Sequence, residues 1–183
     1  GVDNIDLASS TRLGVLVTNT PNTSTEAVAE HALALMLAVA RRVTIIDRQV
    51  REGRWVRGLV NQLNRKTLGI IGTGAIGLQM VRLGKGIGMR VQAWTLHPSA
   101  EKAEAVGFRY VPLEELLGTS DVVSLHLRLS KDTERLLDAS RLALMKPTSI
   151  LINTARGGLV DEDALIESLT ANRIMGAGLD VYE

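Results

Sequence analysis

Apolar and polar positions change their period along this chain. From Lys66 to Val181, short β-branched runs alternate with stretches in which apolar residues recur every three or four positions. An unbroken or alternating apolar run marks a strand, and a 3.6-residue period marks a helix. Strands are predicted at Thr67–Ile71, Arg90–Trp94, Phe108–Val111, Asp121–Leu127, Ser149–Asn153 and Ile174–Asp180. Helices fall between them, near Ala75–Ile87, Ser99–Val106, Leu113–Leu117, Ser140–Met145 and Glu162–Ala171. Strands separated by helices pair in parallel through right-handed crossovers. The fold class is therefore α/β, a doubly wound parallel sheet, and six strands fit the order 3-2-1-4-5-6.

The first third reads differently. A short helix over about Asn4–Leu13 and an apolar strand at Gly14–Thr18 lead into the turn Asn19-Thr20-Pro21-Asn22, where Pro21 disfavours helix. Thr23-Ser24-Thr25-Glu26 has the form of a capping box opening a helix. Apolar residues then continue to Ala40 without a clean polar face. A helix apolar all round needs cover on several sides, as at a domain junction or a subunit contact. From Arg41 to Trp55 the pattern turns basic and amphipathic, with Gly53 marking the end. One long helix over 25–50 and a homodimer formed through it are the expectation.

Composition narrows the function classes. With 21 Lys+Arg against 20 Asp+Glu, the net charge of +1 supplies no field that would gather nucleic acid or an anionic membrane. Aromatic residues at 3% are too few for a base-stacking platform. The absence of cysteine excludes disulfides, thiolate metal sites and a cysteine nucleophile. The longest apolar run, His31–Ala40, is about half the ~20 residues of a bilayer span. A cytoplasmic setting fits, with no nucleic-acid or membrane partner. Both ends read as internal to a longer protein.

Gly72-Thr73-Gly74-Ala75-Ile76-Gly77 stands between the strand Thr67–Ile71 and the helix that follows. That setting gives GxGxxG its mechanism. The first glycine permits the tight turn, the second lets the backbone approach a pyrophosphate, and the third lets helix and strand pack closely. The helix N-terminus offers free N–H groups and partial positive charge to the anion. A Rossmann-type dinucleotide-binding domain over residues 21–183 follows. A carboxylate about 20 residues past the motif would bond the ribose hydroxyls of NAD and repel a 2′-phosphate. Thr95 stands there, in Trp94-Thr95-Leu96-His97, with neither an acidic residue nor an Arg. The cofactor is read as NAD, with NADP left open.

Asn153-Thr154-Ala155-Arg156-Gly157-Gly158-Leu159-Val160-Asp161-Glu162 resembles the D-isomer-specific 2-hydroxyacid dehydrogenases. The likeness extends over Gly1–Asp6, Asn19–Pro21, Val28-Ala29-Glu30-His31, Trp55, the glycine motif, Ser120–His126, Met145-Lys146-Pro147 and Gly176–Val181. It implies hydride transfer between a nicotinamide and C2 of a small hydroxy or keto acid, in a cleft between two domains, with residues 1–20 a remnant of the substrate-binding domain. It also implies a role for Arg156, binding the substrate carboxylate and polarising the carbonyl; a guanidinium suits this with its planar fork and permanent charge. Without the resemblance, a cap or salt bridge with Asp161 or Glu162 at the next helix is the favoured reading of Arg156. By the same likeness Thr154, Ala155, His126, Leu127, Arg128 and Thr133 line the cofactor, although the family usually has Pro where Arg128 stands. Val28 would pack near the nicotinamide, Asp180 would bond its carboxamide, and Gly1 would help hold the substrate carboxylate.

Ketone reduction also needs a proton donor, most often a His tuned by a carboxylate. The resemblance puts that Glu and His beyond Glu183, itself read as a surface residue. The chain alone is then expected to bind coenzyme and turn over little. His31 reads as a buried or interface residue, His97 as a loop residue near the ribose, and no pair has metal-site spacing. A corepressor-like module that senses NAD(H) without turnover is the alternative.

Overall fold

The structure, a computed structural model, describes residues 4–55, 57–58 and 60–182. Six parallel strands form one sheet: β1 (Thr67–Ile71), β2 (Arg90–Trp94), β3 (Arg109–Tyr110), β4 (Val122–Leu125), β5 (Ile150–Asn153) and β6 (Gly176–Leu179). Their order is β3-β2-β1-β4-β5-β6, the predicted arrangement. β4 and β5 are buried along their whole length and β1 along all but its first residue. Strands covered on both faces read as continuous apolar runs, which is why the sequence located them well.

Helices cover both faces. On one lie α2 (Thr25–Ala40), α4 (Ala75–Gly86) and α5 (Ala100–Val106). Met36 and Met80 pack there with Leu68, Ile70, Ile150 and Ile152. On the other lie α6 (Leu113–Thr119), α7 (Ala139–Leu142) and α8 (Glu162–Thr170), bringing Leu116, Leu117, Leu142 and Leu165 against Ile71, Val123 and Leu151. At the sheet's N-terminal edge, Asp121 accepts from the Thr67 N–H at 2.8 Å and from Lys146 Nζ at 3.1 Å. Burial acts to raise its pKa, but these donors outweigh it and hold the carboxyl below its ordinary range.

The N-terminal third departs from expectation in four places. The first helix shortens to α1 (Leu7–Arg12), capped by Asp6 and burying no residue. Gly14–Thr18 forms no strand: Gly14 lies in a turn at φ 69°, the residues after it join no sheet, and Leu16 is 86% exposed. A strand without a partner leaves its hydrogen bonds to water, so apolar content alone does not make one. The capping box does not form: Ser24 is the N-cap of α2 without a side-chain bond, and the Thr23 hydroxyl donates to the Thr20 carbonyl. The long helix is two. Arg42 adopts a left-handed conformation, φ 53°, between α2 and α3 (Val43–Arg51). That backbone state ends an α-helix. Gly53, φ 75°, follows the last turn of α3 as predicted.

Candidate functional site

Strand register puts the candidate residues in one row. Ile71 pairs with Trp94 on one side and Leu125 on the other; Leu125 pairs with Asn153, and Asn153 with Leu179. These five residues end their strands together. The next residue on each strand is Thr95, Gly72, His126, Thr154 or Asp180. Four strand spacings of ~4.8 Å separate the first from the last, about 19 Å. The row crosses the point between β1 and β4 where the chain reverses its winding, the usual ligand crevice of such sheets.

The three motif glycines stand in different surroundings. Gly72 has φ 101°, and a Cβ there would lie 2.7 Å from the His126 backbone. A Cβ on Gly77 would strike the Gly72 carbonyl oxygen. Both are demanded by the chain itself. Gly74 is different: its backbone is extended, and a Cβ would meet nothing within 4 Å. It is the N-cap of α4 and no side chain caps that helix. An uncapped helix N-terminus facing open space is a cradle for an anion, and a diphosphate fits it. Ala75 and Ile76 form the first turn of α4 behind it. The Thr73 hydroxyl is buried and lies 2.9 Å from the Tyr110 hydroxyl, which ties the loop to the edge strand β3.

Along the rest of the row, Thr95 is half-buried and His97 exposed. The His126 Nε2 lies 2.9 Å from Ser124 Oγ, and burial pushes its pKa down to about 4. The ring is therefore neutral at physiological pH. Leu127 is half-buried and Arg128 exposed. Thr133 does not present its hydroxyl to the crevice. It is buried, donates to the Arg128 carbonyl at 2.7 Å and accepts from the Ser130 N–H at 2.8 Å, holding its own loop.

Asn153 organises the far end of the row, and sequence reasoning gave it no role. Its side chain accepts from the Ala155 N–H at 3.0 Å and donates to the Arg156 carbonyl at 2.8 Å. Its own carbonyl accepts from the Asp180 N–H at 3.0 Å. A buried Asn closing a strand was the available signal, since such an amide must find partners. Arg156 is half-buried, with Nη1 2.6 Å from the Ala155 carbonyl. Asp161 is engaged elsewhere, near Arg135 at 3.8 Å and capping α8 through the Ala164 N–H. Thr154 is 9% exposed, and its hydroxyl is buried without a hydrogen-bond partner among the described residues. Such an orphan is costly unless a ligand meets it.

His31 is not buried. It stands on α2 with Nε2 3.4 Å from Asp180 Oδ1, both side chains about half exposed. Val28, one turn earlier and half-buried, lies on the same side of the helix. Gly1 and Glu183 lie outside the described residues. Among the described residues no cluster of His, Asp or Glu could hold a metal ion. Nor is any helix there long and apolar enough to cross a membrane.

The family model for the D-isomer specific 2-hydroxyacid dehydrogenase NAD binding domain matches residues 33–183. The chain belongs to this family. A glyoxylate reductase of Thermococcus litoralis is 45% identical over the whole of this chain, which spans 58% of that relative. A D-3-phosphoglycerate dehydrogenase of Archaeoglobus fulgidus is 42% identical, with 35% of its length spanned. A solved structure of Aquifex aeolicus D-lactate dehydrogenase, complexed with NAD and lactic acid, superposes with a TM-score of 0.91 at 40% identity. It is matched over all of this chain and 56% of that one. The chain thus matches the NAD-binding domain of this family and spans little more than half the length of its reductase and lactate dehydrogenase relatives.

Proposed function

We propose that the protein carrying this chain transfers a hydride between a nicotinamide and C2 of a small D-2-hydroxy acid or 2-keto acid, and that this chain holds the coenzyme. The observation that carries the reading is the row of strand ends, with the open, uncapped helix N-terminus at Gly74 in its middle. NAD, when bound, supplies the ring carbon that gives or takes the hydride. The N–H groups of the 73–76 turn hold its diphosphate, and Thr95 hydrogen-bonds the ribose beyond β2. His126, Leu127 and Arg128 wall the crevice after β4, with Thr154 and Ala155 facing them after β5. The buried Thr154 hydroxyl gains the partner it lacks. Val28 flanks the nicotinamide, and Asp180 accepts from its carboxamide and selects the ring face presented.

Arg156 binds the substrate carboxylate and draws charge from the carbonyl as it is reduced. The proton comes from outside the described residues: His126 is held neutral beside Ser124, His31 faces Asp180, and His97 lies beyond β2. We place the donor in the length of its relatives that this chain does not span. Residues 4–20 belong with that other domain in this reading, since α1 buries nothing here. A homodimer would cover α3, which buries no residue and exposes Val43, Ile45 and Val50. Thr95 favours NAD over NADP only by offering no cation to a 2′-phosphate. The dehydrogenase reading is preferred to a sensing module because the similar proteins named above are reductases and dehydrogenases.

The test is NADH oxidation by the full-length protein against a panel of 2-keto acids. Arg156→Lys should lower kcat/KM about tenfold or more despite the kept charge, because one ammonium cannot reproduce the fork. NADH binding with no keto-acid-dependent oxidation would overturn the enzymatic reading in favour of the sensing one.

A further inference from the structure

α2 and β6 run antiparallel and in step. A Cβ on Gly176 would lie 3.0 Å from Val39 Cγ1, and one on Gly178 would lie 3.1 Å from Leu35 Cβ. The next position in each series brings His31 Nε2 to 3.4 Å from Asp180 Oδ1. Four helical residues rise about 6 Å and two strand residues about 6.6 Å, so the match holds across all three contacts. Glycine at 176 and 178 lets the helix settle onto the strand, and that closeness delivers His31 to the carboxylate at the strand's end.

Asp180 is held by its backbone but not by packing. Its N–H donates to the Asn153 carbonyl at 3.0 Å, while its side chain is 53% exposed. An exposed carboxylate with no fixed partner samples several rotamers, and aiming it at one hydrogen-bond donor carries an entropic cost. An imidazole carrying a hydrogen on Nε2, neutral or protonated, can hold one oxygen.

We propose that His31 is a positioning residue for Asp180: it holds Oδ1 and leaves Oδ2 aimed at the nicotinamide carboxamide. The inference rests on the role given to Asp180 above. His31 acts through Asp180 and handles no proton of the reaction. Its effect is confined to the nicotinamide end of the coenzyme, because no other part of the dinucleotide meets this carboxylate.

The experiment compares NADH and ADP-ribose, which lacks the nicotinamide, by fluorescence and calorimetric titration of the full-length protein. His31→Leu should weaken NADH about tenfold, the loss of one well-placed hydrogen bond, and leave ADP-ribose within about twofold. His31→Gln keeps a donor near the Nε2 position without an ionisable ring, and should restore NADH affinity to within about threefold of the parent. The melting temperature should stay put in both variants, as the pair is half exposed. Unchanged NADH affinity in His31→Leu, equal weakening of both ligands, or a Gln variant as impaired as Leu would each overturn the proposal. A parent protein that binds neither ligand would overturn the coenzyme reading itself, a distinguishable result.

Discussion

Gly14–Thr18 and Thr67–Ile71 are apolar runs of matching length and similar composition, one Gly and one Thr beside branched aliphatic residues. One lies in the open, with Val15 57% and Leu16 86% exposed; the other is the buried centre of the sheet. What separates them is the neighbourhood. Thr67–Ile71 has β2 on one side, β4 on the other, and α4 and α6 on its faces. Gly14–Thr18 has no strand beside it among the described residues. A β-run is a request for partners, and the fold decides whether it is met.

The sharpest way to break this contrast is truncation at matched sites. Ile70→Ala should cost about 4 kcal/mol, a large-to-small change in a site with no exposure, as read by urea unfolding. A cost under about 1 kcal/mol would mean the sheet centre is not packed as described.

Acid titration probes the C-terminal end of the same sheet, at His126. His126 has its pKa pushed down by burial to about 4 in the folded protein, against an ordinary value of 6.5. The unfolded chain therefore binds the proton first as pH falls. Stability is full above about pH 7 and is lost between 6.5 and 4, by up to ~3 kcal/mol. Unfolding midpoints at pH 7, 5.5 and 4.5 should show this slope in the parent protein, and a shallower one in His126→Gln.

Gly74→Val should separate folding from binding. Its Cβ would enter open space and its backbone is extended, so the melting temperature should hold within a few degrees. NADH affinity should fall at least ~100-fold, since the side chain takes the place of the diphosphate. Retained affinity would move the coenzyme away from this turn. The smallest effect belongs to the other region: Leu16→Ala should change unfolding free energy by less than ~0.5 kcal/mol. A loss comparable to that of Ile70→Ala would show that Gly14–Thr18 is covered after all.

The site was partly legible for the same reason as the sheet. Gly72, Gly74 and Gly77 stand out because a strand–turn–helix unit writes its needs within a dozen positions. Arg156, Thr154 and Asp180 were singled out by family likeness rather than spacing. Asn153 escaped in part because its bond to Asp180 exists only once register brings β5 and β6 together; its bonds to Ala155 and Arg156 are local. Thr133 was singled out by the same likeness, and nothing in the local pattern says that its hydroxyl turns inward to Arg128 and Ser130.

Local periodicity and turn chemistry by themselves located the six strands and the glycine turn, because each depends on residues close in sequence; the strand order followed from the way right-handed βαβ units wind. Tertiary structure alone decided that Gly14–Thr18 stays unpaired and that the 25–50 stretch breaks at Arg42. It also turned His31, which reads as a buried or interface residue, toward Asp180. Those outcomes depend on which surface arrives opposite each segment, and a face of a helix or an edge of a strand carries no record of its partner until the chain has closed around it.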